Sequence, residues 1–171
     1  MDKAKNISLQ EEFMTAKEWL DQCLAEEEKY TFPEFTRDDV WELGKTLVEE
    51  YSKFPGPLAA TIWVNGTELF RYYPEGTGEF HEQWLARKYN TVSIMNMSSM
   101  RWKAKLAMNE SSMKDECLDE MEYAACGGGF PIRINGGLVV GFIGASGLSD
   151  DQDHAALLAG LDAFFRKKGY I

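Results

Sequence analysis

The chain has 171 residues, 44% of them hydrophobic and 13% aromatic, enough apolar material for one sizeable core and too much for a disordered segment. Its 28 acidic and 18 basic residues leave a net charge of −10, which repels phosphate backbones and anionic bilayers and argues against nucleic acid or a membrane as partner. The opening MDKAKNISLQEEF lacks an apolar signal core, and no apolar run reaches the roughly 18 residues of a membrane span, so the expected location is cytoplasmic. Cys23, Cys117 and Cys126 are odd in number with no CxxC pair; free thiols in a reducing compartment are expected, and no metal site.

In chain order, Ser8 and Glu11 have capping-box spacing, and Phe13, Ala16, Leu20, Cys23 and Leu24 recur at helical intervals, predicting an amphipathic helix over residues 8–28. The acidic run Glu26-Glu27-Glu28 falls at its carboxyl end, where the macrodipole disfavours negative charge, so a frayed or solvated end is expected. Residues 1–30 thus read as a peripheral helix and a possible protein-binding appendage, and 31–171 as one domain. Thr36 can cap a second helix with Val40, Leu43, Leu47 and Tyr51 inward, ended by Phe54-Pro55-Gly56-Pro57.

Residues 58–64 and 67–73 flank Asn65-Gly66, the pairing a two-residue type I′ hairpin requires. A long helix is predicted over 82–109, with Leu85, Tyr89, Val92, Ser99 and Leu106 inward. A second hairpin follows, 130–135 and 138–145 around Asn135-Gly136-Gly137, and then a last helix with Leu158, Leu161 and Phe165 inward. Helix, helix, hairpin, helix, hairpin, helix is an α+β order that implies an antiparallel sheet covered by helices.

Among chemically suggestive residues, Gly127, Gly128 and Gly129 allow a flat ligand or another backbone to approach closely, or simply meet an unusual backbone conformation. Cys126 beside them is a nucleophile if a cation stabilises its thiolate, and otherwise an inert packed thiol; labelling faster than Cys23 and Cys117 would mark the former. His154, near the start of the last helix, is either a proton carrier or a surface residue, and His81 falls in a glycine-rich loop where exposure is expected. Trp84 with Arg87 and Lys88 offers a stacking face and positive charge to a flat acidic ligand, although salt bridges explain the pair equally well. No Ser-His-Asp set or carboxylate pair can be assembled.

Cys126-Gly127-Gly128-Gly129-Phe130-Pro131-Ile132-Arg133, then Gly141 to Leu148 and Asp153-His154, resemble the signature of the haem-degrading-domain (GlcG/HbpS-like) family. Phe35 to Gly44 resembles its opening helix, Trp84 to Lys88 its Trp-x-x-Arg-Lys element, and Ser98-Ser99 its paired serines. The resemblance covers about residues 32–168 and is strongest to the family's small cytosolic members. It implies a profilin-like fold with an antiparallel sheet of about five strands, the fifth falling within 110–126, and assembly into rings or larger homo-oligomers. It also implies haem as the ligand to consider, bound near Trp84, Arg87, Lys88, Ser98, Ser99, Cys126, Gly127, Gly128, Phe130, Pro131 and His154. The small relatives usually carry His before the glycine pair and before the paired serines, where this chain has Cys126 and Met97; neither supplies the imidazole that commonly holds haem iron. An oligomeric scaffold without catalysis is the alternative. Five Trp and eight Met exceed what one modest core needs, and Trp41 and Trp102 fall off their helices' inward stripes, marking them for a subunit interface.

Overall fold

The computed structural model describes residues 14–171. The Ser8–Glu11 cap lies outside them; the described first helix, α1 (Ala16–Lys29), is capped by Thr15 in a capping box with Glu18. α2 (Arg37–Tyr51) follows, capped by Thr36 with Asp39, and buries Val40, Leu43, Leu47 and Tyr51 as its spacing predicts. β1 (Ala59–Val64) and β2 (Thr67–Tyr72) form the first hairpin, in which Asn65 (φ 49°) and Gly66 (φ 77°) take the two positive-φ positions.

The predicted long helix is two helices. α3 (Glu79–Met95) stops at Asn96, which adopts the left-handed conformation (φ 53°), and α4 (Ser99–Met108) restarts after Ser98, whose hydroxyl accepts the Arg101 amide. Asn is among the few residues that tolerate left-handed geometry, and Ser is a preferred cap, so Asn96-Met97-Ser98 is a stop and start signal that apolar periodicity passes over. β3 (Gly129–Arg133), β4 (Val139–Ser146) and α5 (Asp150–Lys168) complete the chain.

The fold is α+β, with an antiparallel sheet ordered β2-β1-β4-β3. Among the described residues the sheet has four strands, not about five. Residues 110–126 form turns and irregular chain, and α3 side chains hold their carboxyl-terminal part: Arg87 Nε donates to the Met121 carbonyl (3.1 Å), Asn90 to that of Glu122 (2.8 Å), and the Thr91 hydroxyl bonds both backbone groups of Ala124. Backbone groups engaged this way, or in local turn bonds such as those of the Glu116, Cys117 and Leu118 amides, are not free to pair in a ladder.

One face of the sheet packs on α2 and α5 around Ile62, Phe130, Ile132 and Ile143, with Phe164 and Phe165 opposite. α3 packs chiefly on β4 and β3. α1 lies on α4, where Cys23 meets Met100 and Ala104. Its acidic end is not frayed: Glu27 is buried and accepts from the Ser98 amide (2.8 Å) and Arg101 (3.0 Å), while Glu26 pairs with His154. Two of the three glutamates are thus spent inside the molecule, which leaves little of an acidic docking face on that turn. Trp102 is likewise internal, 3% exposed and packed with Leu106 and Met113, whereas Trp41 is 59% exposed. Among the described residues no helix is long and apolar enough to cross a membrane.

Candidate functional site

Phe80, Trp84 and Lys88 are spaced four residues apart on α3 and therefore line up on one face. Opposite that face, β4 ends at Ser146 and the chain turns through Gly147 and Leu148 into α5, leaving a cleft of about 200 Å³ between the two helices. Asp150 and Asp153 close its far wall, and Cys126 borders it from the loop before β3. Phe80, 70% exposed, stands at the mouth beside Trp84 (ring centroids 6.5 Å).

Lys88 is the innermost charge, 2% exposed. Its Nζ donates to the Ala145 carbonyl and to Oδ2 of Asp153, each at 2.8 Å, while Oδ1 of Asp153 accepts the Leu148 amide (2.9 Å). Burial pushes the Asp153 carboxyl above the usual carboxylate range, and the pull of Lys88 does not cancel it. Burial is also the largest influence on Asp150, but there the hydrogen bond (2.5 Å) and charge of Lys103 together with the Asp151 and Gly127 amides outweigh it, and the carboxyl lies below its ordinary value. The Cys126 thiol is raised by burial, with Lys88 opposing only in part. That environment favours the thiol over the reactive thiolate.

His81 sits in the first turn of α3 and partly buried, not in an exposed loop. The Gly78 amide donates to its Nδ1 (3.1 Å), so the ring proton of the neutral imidazole resides on Nε2. The glycine run is held by close approach. A Cβ on Gly127 would overlap the Asp150 carbonyl, and one on Gly128 (φ +99°) would overlap that of Ala145 while crowding Lys88.

Of the residues singled out from sequence, the cleft brings together His81, Trp84, Lys88 and Cys126, with Gly128 packed behind Lys88. Arg87 lies on the other side of Trp84, its guanidinium 4.8 Å from the ring centroid, and borders a separate surface depression. Ser98 and Ser99 are fully buried: one caps α4, and the other accepts the Gly129 amide (3.0 Å), tying α4 to β3. Phe130 belongs to the main core and Pro131 is buried in β3. His154 is not a surface residue; it is 6% exposed, faces away from the cleft toward α1 and bonds Glu26 through Nε2 (2.9 Å), while its Nδ1 has no partner among the described residues. Phe80, Ser146, Asp150 and Asp153 went unassigned in the sequence. The four-residue step to Trp84 and Lys88 carried a signal for Phe80; nothing local marks Asp153 as the partner of Lys88, 65 residues away.

Three comparisons place this geometry. The chain is 36% identical over 147 residues to a UPF0303 protein of Streptomyces avermitilis, covering 84% of this chain and 88% of that one. Its fold superposes on the crystal structure of Ybr137w protein with a TM-score of 0.80 at 26% identity, over 87% and 88% of the two chains. At 19% identity it shares the fold of a PduOC:heme complex, with a TM-score of 0.62 over 75% of this chain and 94% of that one. A family model described as haem degrading protein HbpS-like matches residues 35–162, and the chain belongs to that family.

Proposed function

We propose that this chain is a small-molecule-binding domain whose ligand presents a flat ring to the cleft between α3 and α5. The observation that carries this reading is the edge-to-face pair of Phe80 and Trp84 lining the same cleft as the buried Lys88–Asp153 pair, an apolar wall beside a few convergent polar groups. Haem is the ligand to test first, because the family bears its name and the PduOC neighbour was crystallised with it.

The residues present do not fit an axially ligated iron. The chain has two histidines. His81 has committed the lone pair of Nδ1 to Gly78, and His154 faces α1 from a buried position. The Cys126 thiol is held protonated, and Met97 packs with the Trp102 cluster. A cleft of about 200 Å³ also falls below the ~300 Å³ at which ligand pockets usually begin. The reading is therefore of a ligand that inserts one ring edge against Trp84 and leaves the remainder outside.

Titration with hemin tests it. The expected result is saturable quenching of tryptophan fluorescence with a Soret band unlike that of histidine-ligated haem, and weakening of about tenfold or more in Trp84→Ala, the size of one lost aromatic contact. Binding indifferent to Trp84→Ala would move the ligand elsewhere.

A second reading, association of identical copies, is favoured by Trp41, Phe80, Met121 and Leu138, all exposed and apolar. Large apolar side chains are enriched where proteins meet, and closed point-group symmetry is the expected outcome. Light scattering at the monomer mass across micromolar concentrations would overturn it.

A further inference from the structure

Among the described residues, lysines fall into two environments. Most are at the surface in contact with water; Lys88 lies at the base of a cleft, held between a carbonyl and a carboxylate. A solvated ammonium is a poor nucleophile, whereas a desolvated amine beside a proton acceptor is the arrangement that makes lysine react with carbonyl groups. We propose that Lys88 captures small planar aldehydes as an imine within the cleft. This rests on the reading of the cleft as a small-molecule site and names the ligand class it takes.

The groups around Nζ balance the step. The Lys88 ammonium passes one proton to Oδ2 of Asp153, 2.8 Å away, and the neutral amine attacks the aldehyde carbon. A C–N bond forms as the carbonyl π pair moves onto oxygen, and a proton moves from nitrogen to that oxygen to give the carbinolamine. Asp153 returns its proton to the hydroxyl, the C–O bond breaks, and water leaves as the nitrogen lone pair closes a C=N bond. Ammonium and aldehyde have become protonated imine and water, and the regenerated carboxylate faces a cation before and after. Burial, which raises the Asp153 carboxyl, eases the first transfer. Cys126, kept as a thiol by the same burial, does not compete for the carbonyl carbon.

The walls set the substituent. Phe80 and Trp84 favour an aromatic ring, the volume of about 200 Å³ admits one such ring, and Nε2 of His81 offers a hydrogen-bond donor at the mouth.

The full chain is incubated with benzaldehyde and sodium cyanoborohydride at neutral pH and its peptides are mapped for benzylated lysine. Lys88 is expected to be labelled about tenfold faster than the exposed Lys45 and Lys53. Asp153→Asn, which keeps the side-chain size, is expected to abolish that preference. Labelling of Lys88 no faster than of Lys45 and Lys53 overturns the proposal, and the wild-type chain alone decides this if the variant misfolds. Benzyl alcohol, with the same ring and no carbonyl, is titrated in parallel. Tryptophan quenching that disappears in Trp84→Phe, without labelling at Lys88, overturns imine formation and leaves the cleft as a ligand site. Absence of both removes both.

Discussion

Asp153 and His154 are neighbours on α5, yet they serve opposite sides of the molecule. Asp153 turns to α3 and pairs with Lys88 beneath an open cleft; His154 turns to α1 and pairs with Glu26, close to where Glu27 takes the Ser98 amide and Arg101. Both clusters bury charge, but in different surroundings. Under α1 the charges fasten one helix to the body, and Arg101 and Arg133 supply Glu27 with more than one cation. At the cleft a single cation among the described residues serves Asp153, and that cation also lines the cavity. A buried carboxylate with more than one counter-charge reads as fastening; one with a single counter-charge beside a cavity is where a ligand can intervene.

The largest expected effect breaks the single-partner side. Lys88→Met removes the cation from a buried carboxylate, and leaving one member of a buried pair alone costs about 3–5 kcal/mol. Urea unfolding should show that loss, with much of it recovered in Lys88→Met/Asp153→Leu, where no charge is stranded. Arg101→Ala should cost only about 1–2 kcal/mol, because Glu27 retains the Ser98 amide and Arg133. Equal losses in the two variants would erase the distinction between the clusters.

The glycine run sharpens the same comparison. Gly128 has φ +99° and backs onto both Ala145 and Lys88, so Gly128→Ala combines backbone strain with displacement of the ammonium. About 2–3 kcal/mol of destabilisation is expected, together with a loss of hemin-induced quenching larger than in Gly136→Ala, a glycine with open space around it in the β3–β4 turn. Matching effects on quenching would show that the run serves the backbone alone.

Much of the fold was legible because its signals are local. The Asn65-Gly66 turn, the Thr36 cap and the inward stripe of α2 each sit within a few residues of what they specify. The α3–α4 break was local too, but written in turn chemistry at Asn96 and Ser98, where periodicity gives no warning. The fifth strand expected within 110–126 was settled by Arg87, Asn90 and Thr91, side chains on another element. The site divides in the same way. Trp84, Lys88 and Cys126 stood out by type and motif; Asp153 became a partner only when β4 delivered α5 to the flank of α3. Ser98, Ser99 and His154 carry the resemblance equally well but hold elements together, because a motif records that a residue matters without recording what it faces.

The smallest expected effect tests the α1 side. Burial raises the Glu26 carboxyl, but hydrogen bonds from His154 and Gln22 outweigh it and leave the carboxyl below its ordinary value of 4.5. A carboxylate depressed in the folded state contributes stability that is present above its unfolded value and lost as pH falls through the folded one. Glu26→Gln keeps the shape and a neutral hydrogen bond to His154 and should cost about 1 kcal/mol at neutral pH, the difference between a charged and a neutral acceptor. Since the variant has no carboxyl to protonate there, the two stabilities should converge as pH falls below 4.5. Asp153 acts in the opposite sense over the same range, because a carboxyl raised in the folded state binds its proton more readily folded than unfolded. The acid limb of wild-type stability is therefore expected to be shallow, and Asp153→Asn to steepen it while Glu26→Gln flattens it. Urea unfolding across that range reads both slopes, and slopes that move in the same direction would show that the two faces of α5 do not differ in the way their charges are held.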